Sequence, residues 1–309
     1  MPNKVADKPM NKKVLVLYYS QSGQLSEIVN CFVSPLETAG ISVEKVRVKP
    51  QNDFVFPWTS ARFFDAMPES VHAKPVDLTP FELKELKYDL VVFAYQPWFL
   101  SPSIPANSML LHPSIKAILK DTPVITLIAA RNMWLNAQEK VRAILKNNSA
   151  NLIGNIALVD RSANLTSVVT ILYWMLTGKK DNYLGVFPKP GVSEADIQHS
   201  AVFGKTVVEF MQRGSWAGLQ QALVLQNAIE IKTNLMFVEE RAGRLFNIWA
   251  NLVSKAKNRA AWLVVYKYYL LFALFIVAPV VLTVYSVFFK PFMGKSIASK
   301  KMYYSGLNP

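Results

Sequence analysis

Three short runs carry the residues best suited to chemistry: Ser20–Gln21–Ser22–Gly23–Gln24–Leu25, Gln96–Pro97–Trp98–Phe99 and Arg131–Asn132–Met133–Trp134. The first sets two hydroxyls and a glycine directly after the apolar run Val14–Tyr19. A loop of that kind points backbone N–H groups and hydroxyls at one spot above a helix N-terminus, which suits a phosphate dianion. The chain has no G-x-G-x-x-G and no Gly-Lys-Ser/Thr, so neither a dinucleotide fingerprint nor a Walker loop is present. One glycine without a lysine fits a terminal monophosphate. The other two runs bring indole and phenyl faces together with amides and a guanidinium.

A flat, electron-poor isoalloxazine needs aromatic faces, dry surroundings, and donors and acceptors along its pyrimidine edge. Gln96 and Asn132 have side chains for that edge, and Trp98, Phe99, Met133 and Trp134 have the apolar surfaces. FMN is therefore the expected cofactor. The first run resembles the flavodoxin phosphate loop at Ser20, Ser22 and Gly23; Leu25 departs where a last hydroxyl is usual, with Ser26 adjacent. Other chemistries lack their residues. His72, His112 and His199 are scattered with no zinc-binding spacing, so no metal site is expected. One cysteine, Cys31, excludes an intrachain disulfide framework. No G-x-S-x-G is present, which leaves electron or hydride transfer. His112 is the candidate base, weighed against a structural histidine. Arg131 is the candidate to steady an enolate or a carboxylate, weighed against a surface arginine.

These runs must sit at strand ends. Val14–Tyr19, Tyr88–Tyr95, Val124–Ala129 and Ile153–Val159 read as buried strands, and the alternating Ile41–Val48 as an edge strand. Helices are expected over Leu25–Thr38, with Pro35 kinking or ending it, from about Ala137, over Asn164–Leu176, and from a Ser193 cap to about Gln212. The expectation is an α/β fold: a flavodoxin-like, doubly wound, five-stranded parallel sheet of order 2-1-3-4-5, with ligand at the switch between the first and third strands. The aromatic, proline-rich stretch 50–80 is either a loop packed on the sheet or a lid over an apolar substrate.

Domain boundaries follow composition. Residues 1–11 are expected to be disordered, 12–214 to form the FMN-binding domain, 215–260 amphipathic basic helices, 261–290 a membrane-spanning or membrane-embedded segment, and 291–309 a basic tail. The apolar run Tyr268–Phe289 would reach about 33 Å as a helix, against a hydrocarbon core of about 30 Å. Pro279 either kinks it or marks the apex of a re-entrant hairpin. The net charge of +13 is concentrated around this run, and no acidic residue follows Glu240. That pattern reads as contact with anionic lipid rather than nucleic acid. The N-terminus has no signal-peptide core, which puts the catalytic part on the cytoplasmic face of the inner membrane. Leu235, Val238, Ala242, Leu245, Trp249 and Leu252 form one helical stripe, expected to pack on the domain or bilayer, with homodimerisation the alternative.

Beyond single motifs, nearly the whole chain resembles the bacterial dialkylresorcinol condensing enzymes. The likeness is carried by Lys-Val-Leu-Val-Leu-Tyr-Tyr-Ser-Gln-Ser-Gly-Gln-Leu, Gln-Pro-Trp-Phe-Leu-Ser-Pro, Ala-Arg-Asn-Met-Trp and the Gly-Val-Ser at Gly191. The resemblance implies a flavodoxin-like flavoprotein of dialkylresorcinol and flexirubin biosynthesis, working beside a ketosynthase. The implied reaction is oxidation of a lipophilic, alkylated cyclohexane-1,3-dione to the resorcinol. Rival readings are an NAD(P)H:quinone reductase and a non-enzymatic membrane scaffold.

Overall fold

The computed structural model describes residues 11–307. The expected disorder of the N-terminal residues and the end of the basic tail lie outside the described residues. At the centre is β1 (Lys13–Tyr18), parallel to β2 (Ser42–Arg47) on one side and β3 (Leu90–Tyr95) on the other. β4 (Pro123–Ala130) pairs with β3, and β5 (Asn151–Val159) with β4, so the order is β2-β1-β3-β4-β5. This is the flavodoxin-like doubly wound order. Alternate side chains of β1 feed two cores: Val14 and Val16 on one face, Leu15 and Leu17 on the other. β2 is an edge, as its alternation predicts.

Helix α1 (Gln24–Thr38) runs through Pro35, which neither ends it nor keeps it from Thr38. α2 (Leu135–Asn147) covers the opposite face, and α3 (Asn164–Thr177) lies between β5 and the Ser193 cap. α4 (Glu194–Arg213) starts on the Ser193 cap, whose side chain accepts from the Asp196 N–H. α4 packs on α1 at Gly204, where an added Cβ would run into the Phe32 carbonyl.

The segment after residue 214 is not set apart. Leu219, Leu223 and Ala228 are buried in the core, and the Ala157 N–H of β5 donates to the Ala228 carbonyl at 2.8 Å. α5 (Thr233–Lys255) buries Leu235, Met236, Glu239, Ala250 and Val253. The expected stripe is thus rotated: Leu245 and Leu252 face outward.

α6 (Arg259–Phe292, 34 residues) is the one helix among the described residues long and apolar enough to cross a membrane. No hairpin forms at Pro279. The backbone stays helical through Ala278–Val284, and the preceding stretch Ala273–Val277 widens to a π-helix. A proline brings no N–H and crowds the carbonyl four residues back, and a wider turn relieves both. Both ends of α6 meet the rest of the protein. The Arg259 guanidinium pairs with Asp65 at 2.8 Å and Glu69 at 2.7 Å. Tyr285 stacks on Phe237 of α5 at 3.7 Å. α7 (Gly294–Ser305) then returns, with Lys300 on Glu240 at 2.6 Å and the Tyr303 hydroxyl donating to Glu139 at 2.7 Å. α6 therefore lies across the domain and does not project from it.

The α1–α4 contact gives a stability test. Gly204→Ala should cost roughly 1–3 kcal/mol by forcing the two helices apart. Urea unfolding of the detergent-solubilised protein checks this, and an unchanged midpoint would contradict the contact.

Candidate active site

The loops leaving β1, β3 and β4 converge on one cavity of about 270 Å³ at the carboxyl ends of the strands. The first loop contributes Gln21, Ser22, Gln24 and Leu25; the second Gln96, Pro97, Trp98 and Phe99; the third Ala129, Ala130 and Arg131. The first two loops thus line it as the sequence predicts, at the switch point of the sheet, and the third does so through Arg131 and the two alanines before it. The rest comes from elsewhere. Phe56, Phe63 and Phe64 close one side, Val168, Ile171, Leu172, Trp174 and Met175 of α3 another, and Leu270, Leu271 and Leu274 of α6 a third.

The first loop has the backbone its glycine predicts. Gly23 adopts φ +93° and ends the loop, and α1 begins at the next residue. The Ser20 hydroxyl accepts from the Ser26 N–H at 3.2 Å and is buried beneath the loop, so it shapes the turn. With the Ser26 amide engaged, the Gln24 and Leu25 amides of α1 and the Ser22 hydroxyl remain for a ligand. Gln21 is used otherwise: its Nε2 donates to the Phe54 carbonyl at 2.9 Å, and its Oε1 accepts from Trp58 Nε1 at 2.9 Å. Gln24 clamps the backbone of Val192, donating and accepting at 3.0 Å. That clamp needs Gly191, since a Cβ there would lie 2.7 Å from Gln24 Oε1 and 2.9 Å from the Trp174 ring.

The second loop is a tight hairpin in which Pro97 pairs with Pro102 and Trp98 with Ser101. Its turn residues, Phe99 and Leu100, have φ of +49° and +57°. Two bulky side chains in the left-handed region are strained, and such strain clusters at functional sites. The turn presents Phe99 to the cavity, braced by Phe63 at 5.0 Å. Trp98 sits in an edge-to-face cluster with Trp58 at 5.3 Å and Phe54 at 5.0 Å. The stretch 50–80 is therefore both packed on the sheet loops and a wall of the cavity.

The third loop divides. Arg131 reaches the cavity, with Nη1 donating to the side-chain oxygen of Asn164 at 3.0 Å. Burial pushes its guanidinium down to about 10, while Asp160 and Glu239 hold it up. Asn132, Met133 and Trp134 do not line the cavity. Asn132 donates to Asn164 at 2.8 Å, and Trp134 is buried in the core. The cause is Glu239 of α5. Its carboxyl oxygen accepts from the Asn136 N–H at 2.8 Å, and the Leu135 and Trp134 amides also face it. An acidic side chain thus occupies the N-terminus of α2 and turns this loop toward α5.

His112 is also displaced. The helix Ile104–Leu111 carries it away from the cavity, where its ring packs on Phe81 at 4.9 Å. Its Nδ1 is buried without a hydrogen-bond partner among the described residues, so a satisfied structural histidine is not what the structure has either. No carboxylate or imidazole lines the cavity among the described residues. No metal-binding group of His, Cys, Asp or Glu occurs among the described residues. The α3 wall was missed because an apolar helix gives no clue to what it faces. The α6 wall was missed because its hydropathy reads as lipid contact alone.

No family model and no curated protein matches the chain. Solved structures do. One is a flavoprotein in complex with FMN from Lactobacillus acidophilus NCFM, 18% identical, covering 47% of this chain and 93% of that one, with a TM-score of 0.39. A protein described as a flavoprotein from Bacteroides eggerthii DSM 20697 is 15% identical over 49% of this chain and 91% of its own, TM-score 0.39. Another so described, from Bacteroides uniformis ATCC 8492, is 15% identical over 53% and 98%, TM-score 0.38. Likeness at this level covers about half of the chain and bears on neither ligand nor activity.

Glu239 supplies a pH test. Burial raises its carboxyl from an ordinary 4.5 to about 8. Between those values the folded chain binds a proton that the unfolded chain does not, so stability falls as pH rises through the window. Glu239→Gln should flatten that dependence in thermal melting between about 4.5 and about 8. An equal slope in both proteins would contradict the buried site.

Proposed function

We propose that the protein is a flavoprotein of the cytoplasmic membrane face that oxidises an alkylated cyclohexane-1,3-dione to a dialkylresorcinol. The single observation that supports it is the cavity itself: a glycine-ended loop opening a helix, aromatic walls and a half-buried arginine meet at the sheet's switch point, beside a helix of lipid-like apolarity. The family resemblance supplies the reaction and names a ketosynthase as the source of the dione.

The residues fit FMN at its phosphate end. The first-turn amides of α1 and the Ser22 hydroxyl would hold the phosphate, and Gly23 in its left-handed conformation opens the loop for it. Trp98, Phe99 and Trp174 give the ring aromatic walls, and Gln96 offers a donor and an acceptor for its edge. FMN, when bound, supplies a two-electron acceptor.

The chain's own part is to bind, orient and dry the substrate. A cyclohexane-1,3-dione is a vinylogous acid, so its enolate forms without a strong base, which suits a cavity without carboxylate or imidazole. Arg131, held by Asn164, stabilises the enolate oxygen. Aromatisation removes a proton and a hydride equivalent overall, and the product's aromaticity drives it. Ile171, Met175 and Leu274 exclude water and take the alkyl chains.

Extraction in mild detergent should yield a yellow protein that releases FMN. Anaerobic addition of a 2,5-dialkylcyclohexane-1,3-dione should bleach it and give a resorcinol two hydrogens lighter. A colourless protein, or one bleached by NADPH alone, would overturn the reading. Gly23→Val should lose the flavin while keeping the fold. Arg131→Met should retain it and lower kcat by about 10²–10³-fold, the usual loss on removing an oxyanion donor.

A further inference from the structure

We propose that α6 lies in the plane of one leaflet of an anionic bilayer, and that the cavity opens sideways into the acyl chains between α3 and α6. The proposal rests on the membrane half of the reading above and not on the cofactor.

α6 is apolar on two faces. The inner face meets the rest of the protein at Leu263 and Tyr266, lines the cavity at Leu270 and Leu274, and packs on α5 at Tyr285. The outer face is bare: Val264 is 53% exposed, Phe272 58%, Val280 60% and Phe288 63%. A water-facing helix does not carry such a face, and monomers seldom expose so large an apolar patch. Because these contacts hold the inner side against the protein, a bilayer meets α6 from the outer one. Crossing would require α6 to leave Phe237 and Asp65 and α7 to undock from Glu139 and Glu240.

Neighbouring elements widen the same apolar surface. Leu245, Ile248 and Leu252 of α5 are exposed, and so are Leu184 and Val186 in the loop after α3. Charge selects the occupant. The chain beyond Glu240 carries Lys255, Lys257, Lys267, Lys290 and other cations, and no anion. Basic residues rimming an apolar face suit anionic headgroups.

The opening follows from shared walls. Leu172 lines both the cavity and a second groove of about 260 Å³ between α3 and α6, formed with Val169, Leu176 and Phe275. An alkyl chain leaving the cavity past Leu172 and Leu274 therefore enters that groove on the outer apolar surface. A lipid-soluble ligand then reaches the cavity without crossing water.

Depth measurements test this. On a Cys31→Ser background, spin labels are placed by Val264→Cys, Phe272→Cys, Val280→Cys, Phe288→Cys and, at the groove, Leu176→Cys. Full-length protein is bound to phosphatidylcholine vesicles with and without phosphatidylglycerol, and accessibility to oxygen and to a water-soluble relaxant is compared. The four α6 labels should share one depth to within about a helical turn, ~5 Å. The Leu176 label should lie in hydrocarbon, and binding should weaken without phosphatidylglycerol. A crossing helix would instead spread labels 264 and 288 roughly 36 Å along the bilayer normal, deepest near 280, and overturn the in-plane seat. Four labels in water, with a dimer in solution, would assign the face to a second copy. A water-exposed Leu176 label would overturn the sideways opening. Flavin does not enter the readout, so these failures leave the cofactor assignment standing.

Discussion

One buried carboxyl group ties the two halves of this chain together. Glu239 of α5 is buried at the N-terminus of α2, where unpaired amides of that helix satisfy it. The Asn136 side chain returns the contact by donating to the Glu239 carbonyl at 2.7 Å. The approach is close enough that a Cβ on Gly243, one turn further along α5, would lie 2.8 Å from the same Asn136 amide. Fixing α5 fixes α6 against it, and α6 supplies a wall of the cavity. The site is thus a joint product of the sheet and the C-terminal helices.

A second polar path works with that lock. The Tyr95 hydroxyl donates to Gln138, Gln138 donates to Thr126, and Thr126 donates to the Asn155 side chain at 2.8 Å. Gln220 accepts from the Asn155 N–H and donates to the Ser305 carbonyl. The chain links β3, α2, β4, β5 and α7 under the cavity. Buried polar groups with partners throughout hold elements in one arrangement, because a shift would orphan several at once.

Much of this was legible in the sequence, for local reasons. Buried strand runs such as Val14–Tyr18 report the parallel sheet, since only strands covered on both faces are so uniformly apolar. Ser193 followed by Glu194 and Asp196 reports its helix through capping chemistry. The turn that Gly23 closes ahead of α1 is a local motif as well. What stayed hidden depends on partners far along the chain. Trp134 looks like a stacking indole until Glu239 turns its loop inward. Hydropathy marks α6 as lipid-like but does not say which face the protein covers. Gly191 looks unremarkable until Gln24 and Trp174 are seen against it.

The most direct measurement compares FMN and riboflavin binding to flavin-free full-length protein by quenching of flavin fluorescence. Charge-assisted hydrogen bonds contribute about 1.5–3 kcal/mol each. If the α1 amides and Ser22 grip the phosphate, FMN should bind one per chain and at least ~10²-fold more tightly than riboflavin. Equal affinities, or no binding of either, would contradict a flavin phosphate site at the head of this sheet.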